Sequence, residues 1–144
     1  MATVDLEGFA ELDQMFQQLG NLPFDVIAEA LEEMAEPAEK AVRESGLSMG
    51  VRDPESRVHI LDNITHTKPK QTSDGGTCKV TFKGSRTRGR KKTRNAEIAF
   101  LNEYGKRGQA ARPFIRQAAE SSGPRVAEAG ARVMEKWIED TTQK

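Results

Sequence analysis

Histidine and cysteine, the side chains that zinc sites use most, are rare in this sequence. The chain has two histidines, His59 and His66, and one cysteine, Cys78. Structural zinc needs four ligands, and one thiol cannot complete a cysteine–histidine set. Cys78 alternates with Val80 and Phe82 in a predicted strand, which indicates a small buried apolar side chain and not a nucleophile. The sequence therefore predicts no metal site and, with a single cysteine, no internal disulfide.

The sequence also contains no motif for phosphate binding and no set of residues typical of acid–base catalysis. The stretch Gly84–Arg90 contains glycines, but it lacks the Gly-Lys-Ser/Thr ending of an NTPase phosphate-binding loop. Carboxylates are plentiful on residues 23–45, where a predicted amphipathic helix gives a charged stripe its ordinary explanation. Because no constellation of acid, metal ligand and nucleophile emerges, we expect a protein that is not an enzyme and that needs no cofactor.

A dense cluster of positive charge covers residues 83–94, which hold seven bases, two glycines and no acid. We predict a flexible basic loop over residues 83–95. Three interpretations are open: a solvated loop or hairpin tip, a contact with a protein partner, or sequence-independent contact with DNA in a channel. A nucleic-acid-binding module is thus the alternative function, although such modules usually place aromatic residues beside the basic face. The cations concerned are Arg86, Arg88, Arg90, Lys91, Lys92 and Arg94.

The first third of the chain is predicted to be mainly helical. Val4–Leu6 is a predicted short strand, and apolar residues recur at helical spacing across Phe9–Leu19. A second helix begins at Pro23, which suits a first helical turn, and ends at Gly46. Pro37 removes an interior hydrogen bond and is expected to kink this helix. The predicted buried stripe consists of Ile27, Leu31, Met34, Ala38, Ala41 and Val42.

A β-hairpin is predicted in the middle of the chain, after a short helical turn near residues 58–64. Its strands, Ile64–Gln71 and Thr77–Gly84, are rich in β-branched residues. Ser73–Gly76 between them supplies residues that tolerate positive φ. In the second strand Cys78, Val80 and Phe82 share one face, which is the two-residue period of a half-buried sheet.

Two further helices complete the predicted fold. Ala96–Tyr104 is predicted to form a short helix with Ile98, Leu101 and Tyr104 on one face, and Gly105 to cap it. Pro113 begins a last amphipathic helix, which Ser122–Pro124 interrupts by a kink or a new start. Its apolar side carries Ile115, Ala118, Ala119, Val126, Ala129, Val133, Trp137 and Ile138. Together these elements predict an α+β fold, in which the long helix of the N-terminal half and the C-terminal amphipathic helix pack a small, mostly antiparallel sheet.

Composition indicates one domain, residues 1–144, that completes its burial with partners. The hydrophobic share is 36% and the charged share 31%, respectively low and high for a globular chain. Residues 1–45 hold eleven acids and two bases, so the other 99 residues hold eleven acids and twenty bases. The halves could neutralise each other within a subunit or attract opposite faces of neighbours. No leader or run of about 18 apolar residues is present, so we expect synthesis in a reducing cytoplasm and no membrane span.

A short segment near the C-terminal helix resembles a known protein family. The chain reads Glu-Ile-Ala-Phe-Leu-Asn-Glu-Tyr-Gly over residues 97–105 and Ala-Arg-Pro-Phe-Ile-Arg-Gln-Ala over residues 111–118. This pattern resembles the tail-completion, or head-to-tail joining, proteins of long-tailed phages and prophages. Members typically show Glu-Phe/Tyr-Gly, a short polar loop, and Ala-Arg-Pro-Phe-Ile/Leu-Arg at the start of the final helix. Looser similarity extends over nearly the whole chain.

The resemblance implies a structural protein of the virion, made in the cytoplasm of the host bacterium. It implies a homo-oligomeric ring at the junction of tail and neck, with six copies expected. The implied partners are a tail-tube or tail-terminator protein and the head-completion or connector proteins. Since Gly105 and Pro113 restrict the loop between two helices, we predict an interface there. Its residues are Tyr104, Gly105, Arg112, Pro113, Phe114 and Trp137, of which Phe114 also fits a core position.

Overall fold

A computed structural model of the chain describes residues 22–51, 60–73 and 75–143, without the side chain of Arg88. The strand predicted at Val4–Leu6 and the helix predicted at Phe9–Leu19 lie outside these residues, as does His59. Within them the fold is α+β, as predicted: three helices and short antiparallel strand pairs.

Two long helices form the main body of the protein. Helix α1, Phe24–Ser48, packs along a C-terminal helix, Phe114–Thr142, through the most extensive contact between elements of the fold. Small side chains occupy most buried positions of both helices, which lets the backbones approach closely. At Gly130, for example, an added Cβ would lie 2.6 Å from Sδ of Met34. The buried positions are Ala30, Ala35, Ala41, Val42, Ser45, Gly46, Phe114, Ala118, Ser122 and Gly130.

The helix predicted from Pro23 is present, but its end and its buried stripe differ from the prediction. Gly46 does not stop the helix: it is buried inside the last turns, where an added Cβ would lie 2.6 Å from Cδ2 of Leu61. The glycine was therefore needed for close packing, and the turn with positive φ follows at Gly50, with φ of 77°. Ala30 and Ala35 are buried although the predicted stripe omitted them. Of that stripe, Ala41 and Val42 are buried, and Ile27, Leu31, Met34 and Ala38 are half-buried.

Both helices continue through their internal prolines, Pro37 and Pro124. No new helix begins at Pro124, and Ser122 before it is buried in the continuous helix. A proline cannot donate the helical hydrogen bond, but neighbouring bonds and packing on both sides can hold the turn.

The predicted β-hairpin is present and consists of two consecutive strand pairs. A short 3-10 turn, Ile60–Asn63, leads into β1, Ile64–His66, which pairs with β4, Val80–Phe82. Farther out, β2, Lys70–Thr72, pairs with β3, Gly75–Thr77. The β3–β4 break lies at Cys78 and Lys79, so Cys78 is half-buried at an interruption of the strand.

The segment predicted as a flexible basic loop forms a second β-hairpin. Strand β5, Ser85–Arg88, pairs with β6, Lys91–Arg94, and Gly89 takes a positive φ of 64° in the two-residue turn. Two-residue turns of this kind are common in hairpins because their backbone twist matches that of the strands. They require a positive φ, which glycine adopts without steric cost. The sequence did not predict this hairpin because neither strand has an apolar face: β5 reads Ser-Arg-Thr-Arg and β6 reads Lys-Lys-Thr-Arg. We call residues 85–94 the basic hairpin.

The core lies where the elements meet, around the aromatic ring of Phe114. This ring is fully buried and its centroid lies 6.0 Å from that of Phe82, in an edge-on arrangement. Helix α2, Asn95–Tyr104, contributes Ala99, and the 3-10 turn contributes Ile60 and Leu61. The C-terminal helix, Phe114–Thr142, is α3. No helix among the described residues is long and apolar enough to span a membrane.

Candidate interaction surface around helix α2

Residues 97–118 fold as one connected unit of α2, the loop 105–113 and the first turn of α3. Gly105 ends α2 with φ of 78°, and its N–H donates to the Leu101 carbonyl at 2.8 Å. An added Cβ at Gly105 would lie 2.9 Å from the backbone nitrogen of Ala111. Only glycine fits this position, because both the positive φ and the close backbone oppose a side chain. The predicted cap is confirmed.

Backbone hydrogen bonds fix the loop against α2. Lys106 and Gln109 form an isolated bridge with bonds of 3.0 and 2.9 Å. The N–H of Arg112 donates to the Asn102 carbonyl at 2.6 Å. The loop is thus held at its turn and again beside α3.

Glu103 joins α2 to α3. Its carboxylate accepts hydrogen bonds from the backbone N–H groups of Ile115 at 2.8 Å and Arg116 at 3.0 Å, and the side chain is 8% exposed. Pro113, at the N-cap position of α3, makes no capping bond with its side chain. A carboxylate at a helix N-terminus satisfies free N–H groups and interacts favourably with the helix dipole. The sequence prediction missed this role, since capping patterns place the acid within the same helix.

Half of the six predicted interface residues have mainly structural positions. Phe114 has no exposed surface and belongs to the core, so its assignment to an interface is wrong. Gly105 shapes the turn, and Pro113 is half-buried at the start of α3. Trp137 is half-buried but lies 23 residues along α3 from Phe114, or roughly 34 Å at the helical rise. It is therefore separate from the other five.

The remaining two predicted residues, Tyr104 and Arg112, are exposed. Tyr104 is 64% exposed and its ring lies 4.7 Å, centroid to centroid, from that of Phe100, which is 60% exposed. The site prediction missed Phe100, although its spacing of four residues from Tyr104 places both rings on one helical face. The buried side of α2 is instead formed by Asn95, Ala99 and Glu103.

The basic hairpin presents most of its cations to solvent. Arg90, Lys91, Lys92 and Arg94 are exposed, and Arg86 is half-buried. Arg94 donates to the Glu97 carboxylate at 3.2 Å in the first turn of α2. Since Arg86 pairs with Thr93 and Arg88 with Lys91, these four positions share one face of the ribbon.

That face of the hairpin borders a groove of about 650 Å³ between the hairpin, α2 and the loop. The groove contains four cationic side chains and no carboxylate among the described residues that line it. The half-buried Ile98 and Leu101 of α2 supply apolar surface. At one end, Nη1 of Arg112 donates to the Gly50 carbonyl at 3.3 Å. The lining consists of Arg86, Lys91, Thr93, Ile98, Leu101, Asn102, Lys106, Gly108, Gln109 and Arg112.

His66 joins the first hairpin to α1. Its Nδ1 lies 2.6 Å from Oε1 of Glu39 and its Nε2 lies 2.9 Å from Oε2 of Glu32. These hydrogen bonds raise the pKa of His66 above its ordinary value of 6.5, and the bond to Glu39 has the larger effect. Through these two hydrogen bonds His66 connects β1 to α1.

The thiol of Cys78 lies half-buried near the same hairpin and donates to the Thr67 carbonyl at 3.0 Å. Burial raises the pKa of this thiol, which disfavours the nucleophilic thiolate. In the part of the chain that the structure describes, no three histidine, cysteine or acidic residues are placed to hold a metal ion. The surface around α2 thus combines exposed cationic side chains with two exposed aromatic rings.

Comparison of the chain with protein-family models, with curated proteins and with solved structures found no match.

Proposed function

We propose that this protein is a structural subunit of a tailed-phage particle, which forms a ring that completes the tail and joins it to the head. The observation that carries the proposal is the conformation of residues 97–118, whose sequence resembles that of tail-completion proteins. Within this segment Phe114 and Glu103 build the fold, whereas Tyr104 and Arg112 remain exposed. Because buried residues of this segment hold the fold while others stay exposed, the segment is suited to present a contact surface to a partner.

The exposed side chains are of the types that dominate protein interfaces. Tyrosine and arginine are enriched among residues whose truncation strongly weakens binding. The ring of Phe100 lies against that of Tyr104 at an angle of 47° and enlarges the aromatic surface. Large aromatic side chains at 60% and 64% exposure leave apolar area in water that a partner can bury.

The charge distribution supports head-to-tail association of copies. Exposed acids of α1 include Asp25, Glu29, Glu33 and Glu36, while the basic hairpin supplies cations. A ring formed by heterologous contacts needs two different, complementary surfaces on each subunit. In this proposal the ring has six copies and lies between a tail-tube or tail-terminator protein and the head-completion or connector proteins.

The test uses particles produced from the genome that encodes this chain, after deletion of its gene and complementation with variants. We expect Arg112→Ala and Tyr104→Ala proteins to fold normally but to leave tails unjoined to heads, as seen by electron microscopy. Arg125→Ala is the matched control, because Arg125 is exposed on α3 away from the loop. Absence of the chain from wild-type particles would refute the proposed function. Complete particles with Arg112→Ala would refute the role of Arg112.

A second candidate function, nucleic-acid binding, is favoured by one observation. The bases of residues 85–94 lie on a two-stranded ribbon, a shape that the major groove of DNA admits. If the ribbon binds DNA, affinity measured by fluorescence anisotropy must fall steeply with salt and disappear when Arg86, Arg88, Arg90, Lys91, Lys92 and Arg94 are changed to Gln. Assembly defects in this variant without any DNA affinity of the wild type would instead favour a protein contact.

A further inference from the structure

We propose that the groove beside α2 receives the acidic N-terminal segment, residues 1–21, of a second copy of this chain. The inference rests on the proposed ring and names the two surfaces that join its subunits. Three observations carry it: the charge and apolar floor of the groove, the sequence of the segment, and the distance between the groove and the start of α1.

The groove selects an acidic, amphipathic ligand. Lys91, Lys106 and Arg112 border it, and none of the three takes part in a salt bridge within the described residues. Ile98 and Leu101 provide an apolar floor. Cationic borders around apolar surface match a ligand whose carboxylates flank large apolar side chains.

Residues 1–21 have this composition. They contain four acids and neither lysine nor arginine. Their apolar residues recur at helical spacing, so one face of the predicted helix is apolar and carboxylates flank it. The acids are Asp5, Glu7, Glu11 and Asp13, and the apolar residues are Phe9, Leu12, Phe16 and Leu19.

Distance favours a second copy over the segment's own subunit. The segment joins the fold at Pro23, before α1, whereas Arg112 at the groove contacts Gly50, just after α1. The 25 residues of α1 span roughly 37 Å. With the helix that the sequence predicts over Phe9–Leu19 and an extended connection of three residues, the segment would reach roughly 27 Å from Pro23. The apolar face would therefore fall short of its own groove, while the groove of a neighbour has no such constraint.

Donation of a segment by one subunit to a groove on the next is a heterologous contact, and repetition of it can close a ring. Because the aromatic pair Phe100 and Tyr104 does not line the groove, that pair remains available to proteins above or below the ring. The two surfaces of α2 thus serve different partners.

Disulfide trapping between full-length chains tests this arrangement. Two variants, each in a Cys78→Ser background, are mixed and oxidised: Met15→Cys, beside the apolar face of the segment, and Thr93→Cys, in the groove. We expect a covalent heterodimer on non-reducing gels. Arg125→Cys replaces Thr93→Cys as the control and is expected to give little product. Equal trapping by the control, or no heterodimer, would overturn the proposal. So would an intrachain disulfide alone in a chain that carries both cysteines.

A charge swap provides a second measurement. Sedimentation of Glu11→Lys/Asp13→Lys protein is expected to show self-association weakened roughly tenfold or more. Adding Lys91→Glu/Lys106→Glu to the same chain is expected to restore it. Self-association that is indifferent to these changes overturns the inference but leaves the proposed ring intact. Loss of DNA affinity in the Lys91→Glu/Lys106→Glu protein without any effect on self-association would assign the groove to DNA and overturn the inference. Trapping and rescue in a chain that is absent from particles would refute the proposed function alone.

Discussion

The carboxylate of Glu103 caps a helix to which it does not belong. It bonds the N–H groups of Ile115 and Arg116, so it fixes the angle at which α3 leaves the loop. Replacing it removes acceptors from two helical N–H groups in a buried setting. We expect Glu103→Ala to lower the free energy of unfolding by about 1–2 kcal/mol, as loss of a cap does. Urea denaturation measures this, with the exposed Glu120→Ala as the control; equal stability of both variants would contradict the capping role.

His66 makes stability depend on pH. Because its pKa is raised in the folded state by Glu39 and Glu32, protonation favours folding. The contribution is fully present below the unfolded pKa of about 6.5 and is lost as pH rises through the folded pKa. We expect the melting temperature to fall over that window in the wild type and to change less in His66→Gln. A wild-type profile that rises through the same window would contradict the assignment.

Phe114 and Phe100 are a matched pair of aromatic residues with opposite exposure. Truncation of a fully buried phenylalanine leaves a cavity, so Phe114→Ala is expected to destabilise the protein by about 3–5 kcal/mol. Phe100→Ala removes an exposed ring and is expected to change stability by less than about 0.5 kcal/mol. Chemical denaturation compares the two. Similar losses in both variants would show that the burial of Phe114 contributes little.

Local sequence signals predicted several elements well. The position of helix α2 and its cap at Gly105 were predicted correctly, although the predicted apolar face is not the buried side of the helix. The first hairpin was predicted from β-branched strands around a glycine turn. Contacts between distant residues were not predictable in this way. Glu103 reaches N–H groups twelve and thirteen residues ahead. The exposure of Phe100 and Tyr104 depends on the packing of Ala99, on the other side of α2, against the core.

Gly46 shows the same limitation in α1. A glycine after an apolar stripe predicts a helix end, yet here the missing side chain admits Leu61 and Phe114 against the helix. We expect Gly46→Ala to destabilise the protein by about 1–3 kcal/mol through overpacking. Gly123, in α3, has no atoms within 4 Å of an added Cβ, so Gly123→Ala is expected to stabilise it by about 0.5–1 kcal/mol. Thermal unfolding of the two variants should therefore shift in opposite directions; a shift in the same direction would contradict the packing at Gly46.

The subunit has exposed acids on α1, cations on the basic hairpin and exposed aromatic rings on α2. For the proposed ring we expect several copies in each assembled particle, six by the resemblance, and self-association that weakens as salt rises because the attraction between copies is electrostatic. Quantitative mass spectrometry of purified particles gives the copy number. One copy per particle would exclude a ring.

The bonds that hold the loop 105–113 also set the entropy of binding. Lys106 is bridged to Gln109, and Arg112 is bonded to Asn102, so the backbone that presents Arg112 is ordered before any partner arrives. Association ordinarily loses free energy when loops at the interface become immobilised. In this protein most of the free-energy cost of ordering the loop falls on folding and not on binding. A partner of this surface can therefore bind a preorganised backbone nearly as a rigid body, and substitutions that loosen the loop should weaken binding without removing a single direct contact.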